Sequence, residues 1–326
     1  MRKAYKVVTH SGQFHPDEIF AIAMLQYYFC DISEIVRTRD EDFIEDAFED
    51  DNTILIDVGR RYDPVVMAFD HHQGDCGEFW DKNDGARERT PFSSTGLIYR
   101  FLVESGYIDL DDAGQKYFRT SYVIPIDAQD NGIHFFEKVS VLSEFNRNSH
   151  DDELQMTQFL KALSMARMMV ENAHENSQEQ SLKINNTKRC LENIINLDVD
   201  GDNIIVLPAK KNDNIITSMA YNINPNIDFF IKEREEGKYG IQTAPKDPKS
   251  AFSKKHPVCQ DVIDIYDRGN EVEGIAGNGK VSFIHKAAFF TVIDGTIDDA
   301  LEYIRSIIRL NKAKNTRIER ESQQEA

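Results

Sequence analysis

Apolar residues in the first third of this chain come in short runs, each ending on a polar group. Tyr5-Lys6-Val7-Val8-Thr9 reads as a strand and stops at His10. Ile54-Leu55-Ile56 stops at Asp57, and Val65-Val66-Met67-Ala68-Phe69 stops at Asp70-His71-His72. Short, nearly uninterrupted apolar runs suit strands buried on both faces of a parallel sheet. Residues 34–38 read as a further strand. Helical patterns lie between. One opens at Pro16-Asp17-Glu18, residues that suit a helical first turn, and runs on through the apolar stretch 19–29. An acidic, exposed helix is expected over 40–50, another from Pro91-Phe92-Ser93-Ser94-Thr95-Gly96 to Ser105, and another over 113–123. Strand alternating with helix predicts an α/β domain over residues 1–150, with a mainly parallel sheet flanked by helices.

Beyond residue 150 the period changes. Leu154, Phe159, Leu160, Leu163, Met165, Met168 and Met169 recur near helical spacing, which predicts a helical connector over 151–200 with the methionines in the core. Strands are expected at 203–207, 227–231, 239–243 and 281–284, and helices at 214–221 and 296–310. These make a smaller, mixed α/β domain over 201–326. The charged tail 311–326 is expected to fray.

Bulk properties narrow the choice of function. The 326 residues, 40% of them hydrophobic, are enough for one large domain or two ordinary ones. Lys and Arg number 38 against 56 Asp and Glu, a formal charge of −18, which argues against a protein that coats nucleic acid nonspecifically. Cys30, Cys76, Cys190 and Cys259 are far apart and form no CxxC pair, so reduced, buried thiols are expected. Strand-like sequence almost from Met1 leaves no room for a targeting segment. No apolar run reaches the roughly 18 residues of a membrane span. A cytoplasmic location is the expectation.

The candidate chemistry sits at the strand ends. Ligand sites of parallel sheets lie beyond the carboxyl ends of the strands, so His10, Asp57, Asp70, His71 and His72 should converge on one rim. Imidazole with carboxylate suits Mn²⁺, Zn²⁺ or Fe²⁺. His15 and Asp17 lie close behind His10 and can serve the same ion, although Asp17 and Glu18 are also explained as helix-start residues. Asp127 and Asp130, before Gly132, are either turn residues or further ligands. One hydroxyl of Ser93, Ser94 and Thr95 caps a helix; the others can face a phosphate at its N-terminus. Arg60 and Arg61 suit a phosphate or local acids. The loop 73–80, with Trp80, reads as a lid or a plain loop. Lys246, Lys249, Lys254, Lys255 and His256 form a local basic loop, either solvated or substrate-facing.

On these residues the chain resembles the DHH phosphoesterase superfamily, which includes RecJ-type nucleases, family II pyrophosphatases and dinucleotide phosphodiesterases. Within it the chain is most similar to the melanocyte-proliferating-gene-one family. The motifs are Thr9-His10-Ser-Gly-Gln-Phe-His15-Pro-Asp17-Glu18, Asp57-Val-Gly-x-x-Tyr62-Asp63-Pro64, Phe69-Asp-His-His-Gln73, Phe92-Ser-Ser-Thr-Gly96 and Ile126-Asp-Ala-Gln-Asp-Asn-Gly-Ile133, with Tyr239-Gly-Ile-Gln242 and Phe283-Ile-His285 further on. The resemblance implies a two-domain phosphoesterase with its active site between the domains, and relatives that are 3′–5′ RNA exonucleases. The reading that follows is a metal-dependent phosphodiesterase acting on single-stranded RNA or a short oligonucleotide. Two ions, manganese with magnesium as a weaker substitute, would be bridged by Asp57. His10, His15 and Asp17 would hold one ion, and His71 with Asp127 or Asp130 the other. His72 would contact the phosphate and Asp70 would orient an imidazole. Ser94, Thr95, Lys254, Lys255 and His285 would meet the substrate. Two departures stand out. Ile19 occupies the place of the superfamily's second aspartate, with Glu18 beside it, and Phe289-Phe-Thr-Val follows His285 where relatives are glycine-rich. The rivals are a small-substrate enzyme acting on a dinucleotide or pyrophosphate, and a non-catalytic metal-binding protein. The oligomeric state is not legible.

Overall fold

The computed structural model describes residues 2–73, 77–134, 136–149, 151–247, 253–267 and 280–324; Gly74, Asp75, Cys76 and Lys249 lie outside them. The chain forms two compact units, Met1–Ser181 and Leu182–Ala326.

The first unit runs β1 (Ala4–Thr9), α1 (Pro16–Tyr28), β2 (Asp31–Arg37), α2 (Glu41–Phe48), β3 (Thr53–Ile56), β4 (Tyr62–Asp63), β5 (Ala68–Phe69), β6 (Phe79–Trp80), β7 (Thr90–Pro91), α3 (Ser94–Glu104), α4 (Asp112–Phe118), α5 (Ile124–Asp130), α6 (Glu137–Ser143) and α7 (Asp152–Glu192), the last continuing past the unit's end. Its five-stranded sheet has the order β2-β1-β3-β5-β4. β1 pairs parallel with β2 and β3, and β3 parallel with β5; only β4 is antiparallel. Helix α1 is apolar all round, and Ile19 through Leu25 are fully buried, as a helix inside the core must be. Phe20, Phe69, Phe92, Leu97, Phe118 and Phe159 share its core.

Two local expectations change. The run 65–69 is not a full strand. Asp63 accepts from the Val65 amide and starts a 3₁₀ turn at Pro64–Val66; Met67 then takes a left-handed conformation (φ 54°), leaving two residues to pair. Residues 124–130 are a helix rather than a turn. It follows a π-helical segment, Arg119–Val123, where Pro125 has no N–H to continue the ordinary register.

A buried carboxylate joins α3 to α5. Asp127 accepts the Ser93 amide (3.1 Å), the Ser93 hydroxyl (2.6 Å), the Gly96 amide (3.0 Å) and the Trp80 indole N–H (2.6 Å). Trp80 also lies against Phe92, so it belongs to the core and forms no lid.

The second unit holds β8 (Ile195–Val199), β9 (Asp202–Ala209), α8 (Thr217–Ile223), β10 (Ile227–Glu235), β11 (Lys238–Thr243), α9 (Gln260–Asp267), β12 (Val281–Ile284), β13 (Phe290–Asp294) and α10 (Ile297–Gln324). The sheet order is β12-β13-β11-β10-β9-β8, antiparallel except for β9 with β10. Ile204, Val206, Phe229, Ile231 and Ile241 form one core with α9 and α10; Leu207, Phe230 and Ile227 form another with α8. Residues 195–199, expected in a helical stretch, are a strand: Ile195, Leu197 and Val199 alternate, and Asp200-Gly201 supplies a hairpin turn with both φ angles positive. Strand β13 was not anticipated. The tail is helical through Gln324, since no Gly or Pro interrupts α10 before that point. Cys30 and Cys190 are buried and Cys259 is half-buried. Among the described residues no helix is long and apolar enough to cross a membrane.

The α3–α5 junction has no spare room. A Cβ on Gly96 would collide with Asp127 Oδ2 and lie 2.9 Å from the Phe92 ring. Gly96→Ala should cost about 1–3 kcal/mol, the range for overpacking a filled core. Denaturant unfolding checks this; an unchanged midpoint would show that α3 can slide away from α5.

Candidate metal centre

In this sheet the order turns outward from β1 in both directions, to β2 on one side and β3 on the other. The carboxyl edge beside such a switch point is where parallel sheets leave a crevice. His10 follows β1, Asp57 follows β3, and Asp70 and His71 follow β5. His15, Asp17 and Glu18 arrive at the N-terminal turn of α1, and Asp130 at the last turn of α5. Asp57 has φ 56°, uncommon for a residue with a side chain, and its amide bonds the Phe69 carbonyl at 3.1 Å. Strain of this kind gathers at functional sites.

Asp57 is the hub. Its Oδ2 lies 3.2 Å from His10 Nε2, and its Oδ1 lies 3.3 Å from His71 Nε2 and 3.4 Å from His72 Nδ1. His10 Nε2 is also 3.2 Å from Glu18, and His71 Nε2 is 3.3 Å from Asp130. Three groups have metal-ligand spacing: His10, His15, Glu18 and Asp57; Asp57, His71 and His72; and His15, Asp17 and Asp130. Asp57 belongs to two of them. His10 Nδ1 lies 3.2 Å from the Ser11 carbonyl, which a proton there satisfies, and 3.1 Å from the Arg39 guanidinium, which needs a bare nitrogen; the first arrangement is the one that leaves Nε2 a lone pair for a metal ion. A cavity of about 640 Å³ opens on this rim, lined by His10, His15, Arg39, Asp57, Arg60 and His72 among others.

The electrostatics ask for positive charge. Asp17 is fully buried, and neither of its oxygens has a hydrogen-bond partner among the described residues. Burial, reinforced by Asp57, Asp130 and Glu18, pushes its carboxyl well above the usual range. Burial alone would lower His10, yet its bonds to Asp57 and Glu18 carry it up to about 10. Burial would raise Asp57, but hydrogen bonds from His10 and His71 hold it well below the usual carboxylate range. An unsatisfied buried carboxylate is expensive unless a cation meets it. The donor set of imidazoles and carboxylates therefore fits a divalent ion such as Mn²⁺.

The other expected site residues divide. Asp70 and His72 form a pair, with His72 Nδ1 2.7 Å from Asp70 Oδ1; Asp70 also accepts the backbone amides of Arg60 and His72. His72 is 56% exposed at its side chain, whereas His71 is mostly buried. Asp127, one of the two candidate ligands on α5, is absent from all three groups: its oxygens serve the α3–α5 junction. Ser94 and Thr95 do not reach a surface. Both are fully buried; Ser94 donates to the Phe69 carbonyl and Asp57, and Thr95 to the Asp17 carbonyl. They position the strand and helix ends that carry the cluster. Lys255 is tied down as well, its Nζ donating to the carbonyls of Pro225 and Ile227 and pairing with Asp228. His285 accepts the Ala287 amide at Nδ1. Lys254 is half-buried in the second unit, with no ion pair among the described residues. Arg61 pairs with Asp63.

Two residues do more than their sequence positions suggest. Glu18 both caps α1 through the His15 amide and enters the cluster. Arg39, just past β2, lies 3.1 Å from His10 Nδ1. Its place at the end of a parallel strand was the available signal.

Parallel strand ends deliver His and Asp to a switch point, where they form a His/carboxylate cluster that could hold a cation on an α/β sheet. Residues 6–307 match the family model MYG1_exonuc, described as "Uncharacterised protein family (UPF0160)", and the chain belongs to that family. "MYG1 protein C694.04c" of Schizosaccharomyces pombe is 31% identical over 191 residues, which are 50% of this chain and 55% of that protein. "MYG1 exonuclease" of Bos taurus is 27% identical over 321 residues, 87% of this chain and 80% of that protein. Among solved structures, RecJ in complex with Mn²⁺ from Thermus thermophilus has a TM-score of 0.29 at 11% identity, covering 94% of this chain and 52% of that one.

Asp17→Asn keeps the shape and removes the unpartnered charge. The chelated variant should be more stable than chelated wild type by about 1–3 kcal/mol, the cost of an unmet buried polar group, and the rise in Tm on adding Mn²⁺ should shrink. Calorimetry with and without Mn²⁺ decides. A less stable chelated variant with the full Mn²⁺ response would make Asp17 a structural carboxylate.

Proposed function

We propose that this protein is a metal-dependent phosphodiesterase, an exonuclease that trims single-stranded RNA from its 3′ end. The observation that carries the reading is Asp57, held in a strained backbone conformation and shared by two groups of His and carboxylate ligands. His10, His15, Asp17 and Asp57 would hold one divalent ion; Asp57, His71 and Asp130 would hold the second. Asp17 is preferred to Glu18 as a ligand because Glu18 already receives the His15 amide with both oxygens. Two such ions would supply Lewis acidity and lower the pKa of a water toward neutrality.

The chain's own residues do the rest. Asp70 fixes His72 through Nδ1, so that Nε2 is left to hydrogen-bond a phosphate oxygen or return a proton to the leaving oxygen. Asp70 is thus a positioning residue. Arg60 and Arg39 line the same cavity and suit the non-reacting oxygens of the phosphate. The exonuclease part is supported by the name of the bovine relative and by the charge balance: a chain at −18 suits a short groove that engages a few nucleotides at an end better than a long channel.

Asp57→Ala should leave less than a tenth of wild-type turnover, a barrier change above about 1.4 kcal/mol. His71→Ala should lose metal, while His72→Ala keeps metal and loses turnover. Metal analysis of the purified variants tests the division of roles, and equal metal loss in both histidine variants would refute it.

Substrate class is read by incubating Mn²⁺-loaded protein with end-labelled RNA, the matching DNA, pApA, pyrophosphate and a circular RNA. Linear RNA should shorten from its 3′ end to mononucleotides while the circle stays intact. Ready cutting of the circle would exclude an end-dependent enzyme, and turnover confined to pApA or pyrophosphate would place it with the small-substrate phosphoesterases.

A further inference from the structure

A second cavity, of about 470 Å³, lies wholly in the second unit. Its floor is one face of the sheet: Phe230, Lys232 and Arg234 of β10, Gly240 and Gln242 of β11, and Phe290 of β13. Strand alternation turns Phe229 to the core with α10, and Ile231, which packs in that core, also borders the hollow. Lys183 and Lys211 add two more positive charges at its walls, and no Asp or Glu is among its lining residues. In a chain with 18 more acidic than basic residues, four cations around one hollow are a marked segregation of charge. Lys211, Lys232 and Arg234 make no ion pair within 4.0 Å among the described residues; Glu235, just past Arg234, feels Lys211 and Arg234 only at longer range.

The aromatic part is also arranged. Phe290 is half-exposed, and the Arg234 guanidinium lies 5.5 Å from its ring centroid. Gly240 makes room for both. A Cβ there would stand 3.0 Å from Phe290 ring carbons and 3.2 Å from Arg234 Cδ. An open ring with cations around it, plus the amides of Gln242 and Asn214, matches what a base and its flanking phosphates require. The volume falls within the range of sites for small organic ligands and admits one nucleotide.

We propose that this sheet face is a binding site for single-stranded oligonucleotide, with a base stacked on Phe290 and phosphates met by Lys211, Lys232 and Arg234. It rests on the phosphodiesterase reading only for the identity of the ligand. Lys255, tied to backbone carbonyls, is thereby relieved of the substrate contact that its sequence suggested.

The test uses the full chain, stripped with EDTA so that nothing is hydrolysed, and a fluorescein-labelled hexanucleotide titrated by anisotropy. Lys232→Ala with Arg234→Ala should raise Kd at least tenfold and flatten the salt dependence by about one to two phosphates' worth, at roughly 0.7 in log–log slope per phosphate. Phe290→Ala should raise Kd severalfold, and AMP should displace the oligonucleotide better than pyrophosphate does. Far-UV circular dichroism and manganese uptake of the double variant should match wild type. Unchanged Kd in both variants, or displacement by pyrophosphate as good as by AMP, would overturn the proposal. Pocket-dependent binding without any hydrolysis in Mn²⁺ would support this site and refute the phosphodiesterase reading. Hydrolysis with binding indifferent to the variants would refute this site alone.

Discussion

Four carboxylates, Asp17, Glu18, Asp57 and Asp130, crowd the carboxyl edge of the first sheet, three of them almost completely buried. Like charges in a low dielectric repel strongly, and burial adds the loss of hydration. Such a cluster persists only where positive charge is built in. Here it comes from His10 and His71, each within 3.3 Å of two of the acids, and from the N-terminal end of α1. The surrounding structure serves this constraint. α1 is apolar on every side, so the core clamps its first turn in place, and Thr95 ties the Asp17 carbonyl to α3.

The carboxylates on α5 show how the same residue type takes opposite roles three positions apart. Asp127 and Asp130 are both aspartates on one short helix. Asp127 has four donors from α3, β6 and the segment before α3, and ends its chemistry there. Asp130, nearly a turn further on, pairs with His71 and lies close to His15 and Asp17. Spacing alone could not separate them, because what decides is the supply of donors from elements distant in sequence.

The same reason marks the limits of reading the chain. The rim itself was legible: an apolar run ending in a polar residue has one plausible geometry in a parallel sheet, and His10, Asp57 and His71 obey it. The alternation at 195–199 and its Asp-Gly turn were equally legible but were masked by the helical period before them. Less accessible were the fates of Ser94, Thr95 and Lys255. Each is a polar residue beside a functional motif, where a ligand is the obvious partner. In each case a backbone carbonyl distant in sequence takes its hydrogen bonds. A sequence shows donors and acceptors; only the fold shows which are already engaged.

Asp57 carries this one step further. A left-handed conformation at a residue with a side chain costs about 1–2 kcal/mol, and glycine would avoid it. Aspartate tolerates the region better than most, yet it still bears strain that an ordinary extended residue at the end of β3 would not. The gain is directional. Turning the backbone there swings the carboxylate sideways, between the end of β1 and the end of β5, so that its two oxygens address His10 and His71 separately. The amide bond to Phe69 holds the turned chain against β5. A carboxylate at a relaxed strand end would point to one face of the sheet and meet one neighbour. The strain is what lets one carboxylate address two histidines.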